Sequence, residues 1–428
     1  MLLFSPLLLD VSYLHRAAGV IARRKITKGE VVMSIPLRSC LSLTDLPPKD
    51  AFNSVLKLYS GPRAERPLST EVLLAIRLLV EDAKGEESDF YHLIHTFPKQ
   101  TVGALGFSDE IVGLIRGTSA YFKAAYAREE AKKHYADVED VMKRFSRVLI
   151  GGKHQYTFER FVWALSIVRA YSVQVTTGSI NRQGFFPLAA HFNHAWKKEH
   201  ADHYHVEFEG IEHHVEHDVF EKHLVFTAVR SIDAMEEILL FYGPHSSSAM
   251  MDMYGHAPKN NPFHAIPYSV RITDPSVQNY KEKVAILIAL DIDYRSPCLL
   301  TLDGPDDTLL TLLRVKCLTP EEVPTAVSRI KETGIVCAEN ELRMLAELNA
   351  MLLQKEGQLR AAKEKLTEKD MELLAHRLPI FESDENVLMR GREYSLRARL
   401  PYLLRNGQVK NEEKAREEKI EGEKAEKG

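Results

Sequence analysis

Cysteine is scarce in this chain: Cys40, Cys298, Cys317 and Cys337 are spread through 428 residues, with no C-x-x-C pair. That spacing excludes a disulfide framework and a thiolate zinc site. It leaves reduced thiols buried as small apolar side chains, and with them a reducing compartment. No apolar run is long enough to cross a bilayer. Met1 to Leu9 is apolar, but no basic residue precedes it and Asp10 follows at once, so neither a signal peptide nor a membrane contact is expected. Arg16, Arg23, Arg24 and Lys25 keep a mitochondrial presequence open, although Asp10 and the strand-like pattern around it count against one. Nor is there an excess of one charge. With 56 basic and 60 acidic residues the net charge is −4, which speaks against nucleic acid as a partner of the whole chain.

Apolar residues at 45% and charged residues at 27% are the balance of a soluble globular protein. The length is too great for one ordinary core and calls for two domains with additions. From Leu7 to Leu41 the pattern is short strands and turns. Lys28-Gly29 between two apolar runs predicts a hairpin, with Pro36 ending its second strand. From Ser69 to Ile150 the character is helical, Ser69 or Thr70 supplying a cap before Leu73, Ile76 and Val80. A helix is expected over Thr157–Ser172, then strands near Tyr204–Phe208 and Leu224–Val229. After Pro267 helices dominate, and Leu342, Leu345, Leu348 and Leu352 mark one that packs in a core. The end, 406–428, holds six basic and seven acidic residues and no aromatic, the composition of a disordered tail.

Three segments carry chemistry when read together. The first is Arg16-Ala17-Ala18-Gly19-Val20-Ile21-Ala22, with Lys28-Gly29-Glu30 and Ile35-Pro36 behind it. The second is Trp163-Ala164-x-Ser166, leading to Pro187-Leu188-Ala189-Ala190-His191-Phe192-Asn193-His194. The third is Glu236-Glu237-Ile238 through Phe241-Tyr242-Gly243 to Tyr254-Gly255 and Asn260-Asn261-Pro262. In this order they resemble the SET-domain methyltransferases, in the branch typified by the Rubisco large-subunit lysine methyltransferase and its animal relatives. The resemblance covers roughly residues 7 to 400.

It implies an α+β fold: a SET-domain β-fold with a pseudoknot over residues 1–265, carrying a helical insertion over about 46–150. An all-α substrate-binding domain over 266–405 and the charged tail over 406–428 complete the chain. It implies S-adenosyl-L-methionine as cofactor and a protein as substrate, with a monomer expected. By resemblance the hydroxyl of Tyr242 stands beside the sulfonium and the attacking nitrogen, the catalytic position. Cofactor contacts are implied for Asn193 and His194, for Arg16, Ala17, Ala18 and Gly19 along the glycine turn, for Tyr171, Ala190 and His191, and for Tyr254, Gly255 and His256 beneath the adenine. No metal site is implied.

The chemistry accounts for such residue types. In-line transfer from a sulfonium to an amine needs both partners held in a near-attack arrangement. An incoming lysine must be neutral, which at pH 7 costs about 4.6 kcal/mol from a reference pKa of ~10.4. An apolar channel reduces that cost. The chain also departs from the family's pattern. Ala17 stands at a second glycine, Tyr171 at an arginine that grips the cofactor carboxylate, and Ala190 at an acidic residue. Ala195, Ser247 and His256 replace a usual serine, asparagine and aromatic. These changes point to weakened cofactor binding and keep open a SET-fold scaffold without catalysis, while the acceptor stays open between lysine and histidine. Nine of the 18 histidines lie between His191 and His223, among them His200, His203, His205, His213, His214 and His217. Their spacing reads as a solvent-exposed hairpin before it reads as a metal site. A cytoplasmic location is expected, with nucleus and mitochondrion left open.

Overall fold

The computed structural model describes residues 7–10, 19–44, 46–61, 64, 66–150, 156–177, 180–195, 206–216, 219–272 and 277–405. Arg16, Ala17 and Ala18, His200, His203, His205 and His217, and the tail over 406–428 lie outside these residues.

In chain order the elements begin with β1 (Leu7–Asp10), β2 (Gly19–Ala22), β3 (Val31–Pro36) and β4 (Leu41–Ser42). Helices α1 (Phe52–Tyr59), α2 (Thr70–Lys84), α3 (Tyr91–His95), α4 (Asp109–Leu114), α5 (Tyr121–Ile150) and α6 (Phe158–Tyr171) follow. Then come β5 (Val173–Thr177), β6 (Ile180–Phe185), β7 (Asn193–His194), β8 (Val206–Glu216), β9 (Val219–Ala228), β10 (Leu239–Leu240) and α7 (Ser247–Tyr254). The chain closes with β11 (Ala265–Tyr268), α8 (Tyr280–Ala289), β12 (Cys298–Thr301), β13 (Gly304–Pro305), α9 (Asp307–Lys316), α10 (Ala326–Thr333), α11 (Ala338–Lys363), α12 (Glu368–Leu374) and α13 (Pro379–Arg405).

The chain divides into two compact units. The first takes residues up to 112, 122–245 and 249–256, and the second takes 113–121, 246–248 and 257 onward. The first unit holds the sheets that frame the site. Its largest sheet has the order β3-β9-β8-β10-β7, beside a β4-β6-β5 sheet and the β1-β2 pair. The inward side chains of β2, β3 and β9 (Val20, Val32, Met33, Ile35, Leu224 and Phe226) join Phe186, Phe192 and Ile238 in one buried cluster. Burying a side chain of that size contributes about 1.5–3 kcal/mol.

The Lys28-Gly29 turn does not close a hairpin between its flanking strands. β2 pairs with β1, and β3 pairs antiparallel with β9, nearly 200 residues away in the chain. The turn is real: Gly29 has φ +83° and its N–H donates to the Ala228 carbonyl at 2.8 Å. Local turn chemistry was legible, but the partner of each strand is decided by which apolar face it covers.

Helical starts follow their caps. Ser69 Oγ accepts from Val72 N–H at the head of α2, and Thr157 Oγ1 accepts from Arg160 N–H at the head of α6. The two helices pack together. The buried Arg77 on α2 holds the half-buried Asp50 through two bonds of 2.8 and 2.6 Å.

The second unit is helical, as expected, and also carries a small β11-β12-β13 sheet. Leu345, Leu348 and Leu352 of α11 are buried, and α11 packs along α13. A buried polar knot lies in this unit: His264 Nε2 meets Asp384 at 2.9 Å, and the Ser119 N–H donates to the same carboxylate at 2.7 Å. Among the described residues no helix is long and apolar enough to cross a membrane.

Candidate functional site

The site is made by two short strands that run parallel. β10 lies between β8 and β7, with Leu239 opposite Asn193 and Leu240 opposite His194. A two-residue pairing is weak alone, and the buried Ile238 and Phe192 beside it hold the register. The Ala195 N–H extends the contact by donating to the Leu240 carbonyl at 3.1 Å. Parallel pairing requires a long connection between the partners, here the β8–β9 hairpin. The second and third motifs therefore meet in space, and Tyr242 emerges beside Asn193 and His194.

Three bonds fix the geometry. The Tyr242 N–H donates to His194 Nδ1 at 3.1 Å, the Tyr242 hydroxyl donates to the Phe192 carbonyl, and the Asn193 amide donates to Glu237 Oε1 at 2.6 Å. Because His194 Nδ1 accepts, its proton sits on Nε2 and the ring is neutral. Burial pushes the His194 pKa down to about 4, with His245 and His256 nearby adding to the effect. Burial drives the Tyr242 hydroxyl well above its usual range, helped by Tyr254, Tyr171 and Glu237. Tyr242 is thus a permanent hydrogen-bond donor and not a base at physiological pH.

Tyr254 ends α7 with its ring 5.3 Å from that of Tyr242, and His256 lies 6.2 Å beyond Tyr254. Gly255 turns the chain there at φ +79°, and a Cβ there would lie 3.5 Å from the Gly103 nitrogen. Tyr171 closes α6, packed 5.5 Å from Phe97, and burial raises its pKa. His191 is buried in a single helical turn over Ala189–His191 that also contains Ala190, and burial lowers its pKa. Leu188 enters this turn at φ +64°, an uncommon conformation for a branched residue and one that gathers at functional sites. Gly19 is buried at the head of β2, whose next residue accepts from the Ile238 N–H at 2.7 Å.

Tyr171, Tyr242 and Tyr254 line a cleft of about 990 Å³ in the first unit. Gly19, His191, Asn193, His194, Gly255 and His256 are not in its wall; the His194 ring lies 5.0 Å from that of Tyr242, which is in the wall. Sequence reading missed Arg169, Asp252 and the α5 residues Phe122, Tyr126 and Glu130, all of which line this cleft. The Arg169 guanidinium, two residues before Tyr171, is bonded to Glu71 at 2.5 Å. Burial raises the Asp252 pKa in spite of Arg169 and Lys123 nearby. Spacing offered a signal for α5, since residues 122, 126 and 130 recur every fourth position. Nothing in the sequence marked which face of that helix the cleft would use.

A family model for the SET domain matches residues 17–243, and one for the Rubisco LSMT substrate-binding domain matches residues 274–392. Among curated proteins the chain is similar to the actin-histidine N-methyltransferase of Drosophila melanogaster, 22% identical over 333 residues, which cover 74% of this chain and 58% of that protein. It is also similar to the chloroplastic Rubisco large-subunit N-methyltransferase of Nicotiana tabacum, 24% identical over 156 residues, or 36% of this chain and 28% of that one. The chain thus spans well under two thirds of the length of these relatives. Among solved structures it superimposes on the SET domain of LSMT bound to lysine and AdoHcy with a TM-score of 0.72 at 16% identity, covering 94% of this chain and 89% of the other. The structure of Rubisco LSMT bound to AdoMet gives 0.70 at 18% identity, covering 93% and 88%. These likenesses establish the fold.

Proposed function

We propose, from the premise that this chain belongs to the SET-domain family, that it is an S-adenosylmethionine-dependent protein methyltransferase acting on lysine. The parallel contact of β10 with β7 carries this reading, because it gathers a buried tyrosine hydroxyl, an amide side chain and a backbone turn beside one cleft. The residues fit such a donor. Its cation and aromatic base suit walls made of the Tyr171, Tyr242 and Tyr254 rings, and cation–aromatic contact is worth up to about 2 kcal/mol when desolvated. The Asn193 amide nitrogen is already engaged by Glu237, so its oxygen remains the acceptor for an ammonium group. By resemblance Asn193, the backbone of His194, and Gly19 would hold the donor's amino-acid and adenine parts, with Tyr254, Gly255 and His256 beneath the ring; of these Tyr254 is in the wall of the cleft.

When bound, S-adenosylmethionine supplies a methyl group carried on a sulfonium. The chain's own work is to hold and to desolvate. Tyr242 stays protonated and orients its oxygen through the Phe192 carbonyl. The cleft's aromatic lining lowers the cost of a neutral amine at pH 7, and fixed dipoles there need no reorganisation. The helical second unit supports a role in holding the protein substrate, the role in the name of the matching family model.

A second acceptor, histidine, is favoured by the similarity to the actin-histidine enzyme over 74% of this chain. The four free cysteines, two of them buried, support a cytoplasmic location. Isothermal titration with S-adenosylmethionine tests the donor site. Binding near one equivalent is expected, and no heat at millimolar donor contradicts the reading.

A further inference from the structure

Helix α5 has two faces. Ala124, Ala127, Ala131, Val138 and Val141 are buried in the first unit. Phe122 and Tyr126, one turn apart, are 65% and 63% exposed and stand in the wall of the cleft that Tyr242 and Tyr254 also line. Two large rings turned to water on one helix face contribute little to folding, whereas aromatics are the side chains that dominate recognition surfaces. Glu130 continues the row one turn further on and lines the same cleft. Its side chain is 59% exposed and reaches Arg169 only at 4.0 Å, the limit for an ion pair, because Arg169 is bonded to Glu71 at 2.5 Å. Lys123, which also lines the cleft, lies within electrostatic reach of Asp252 and His245.

We propose that Phe122, Tyr126 and Glu130 form a subsite for a basic side chain, arginine or lysine, flanking the methyl acceptor in a polypeptide substrate. This deepens the reading of the cleft as a protein methyltransferase site and rests on it. A flat guanidinium or an ammonium stem lies against the two rings, and its charge meets the Glu130 carboxylate at the end of the row. An acidic flank is repelled by the exposed Glu130 carboxylate. An apolar flank uses the rings but strips water from Glu130 with no compensating partner.

The test uses the full chain and fluorescein-labelled short peptides with a central lysine or histidine, degenerate flanks, and arginine, leucine or glutamate fixed at one flanking position. Fluorescence anisotropy is expected to show arginine pools binding about tenfold more tightly than the others. The preference should fall to near parity in Tyr126→Ala and in Glu130→Gln, both exposed positions whose circular dichroism should match the wild type. Tighter binding of leucine pools, equal binding of all pools, no binding of any pool, or a preference that survives both substitutions would each overturn the proposal. Donor titration of the same samples separates the two readings. Loss of donor binding with the arginine preference intact counts against methyl transfer and not against the subsite.

Discussion

The backbone N–H of Tyr242 donates to Nδ1 of His194, joining positions 48 residues apart at 3.1 Å. The bond exists only while that nitrogen keeps its lone pair, and burial holds the ring neutral down to about pH 4. The unfolded chain takes up this proton near pH 6.5, whereas the folded chain takes it up near 4. Stability is therefore fully present above pH 6.5 and is lost as pH falls toward 4, by about 2–3 kcal/mol from this group. Urea denaturation at pH 7 and pH 5 should show the loss in the wild type, with a smaller drop in His194→Gln. Identical pH dependence of the two proteins would remove His194 from the account.

Asn193 and Glu237 form a second tie between the same two segments, at 2.6 Å. Asn193→Ala removes the tie and an acceptor for the donor's amino group. A charge-assisted hydrogen bond is worth about 1.5–3 kcal/mol, so the Kd for S-adenosylmethionine should rise about ten- to a hundredfold. Calorimetry reads this directly, and an unchanged Kd would place the donor elsewhere.

Gly103 packs closely on the Asp252–Met253 backbone that leads into Tyr254. It has φ +65°, and a Cβ there would lie 2.2 Å from the Asp252 carbonyl oxygen and 2.6 Å from that of Met253. The left-handed conformation alone costs alanine about 1–2 kcal/mol, and forcing the contact apart adds about 1–3 kcal/mol. Gly103→Ala should lower the melting temperature by several degrees and weaken donor binding. Gly29→Ala, where nothing lies within 4 Å, should show the conformational cost alone. Equal melting temperatures for the two variants would show that the close approach does not matter.

Much of this was legible in the residues themselves. Ser69, one of the two hydroxyls expected to cap a helix, does so at the head of α2, and Leu345, Leu348 and Leu352 of the four leucines that marked α11 are buried, with Leu342 half-buried. The segments around Asn193 and Tyr242 were paired by resemblance, and the β7–β10 contact brings them together. Strand partnership was not legible, because the Lys28-Gly29 turn reports local geometry while β3 finds β9 across the chain. The charged part of the cleft was also missed. Arg169 sits on a helix whose apolar face dominates its pattern, and its closeness to Glu71 comes from the packing of α6 on α2, which periodicity does not encode.

Tyr242 carries the chemical claim. Transfer of tritiated methyl groups from labelled S-adenosylmethionine to proteins of a cell extract, by wild type and by Tyr242→Phe side by side, tests it most directly. The wild type should label discrete polypeptides, and the variant, still folded and still binding donor, should label them about 10²–10³ times more slowly. Equal labelling by the two proteins, or none by the wild type, would contradict the account.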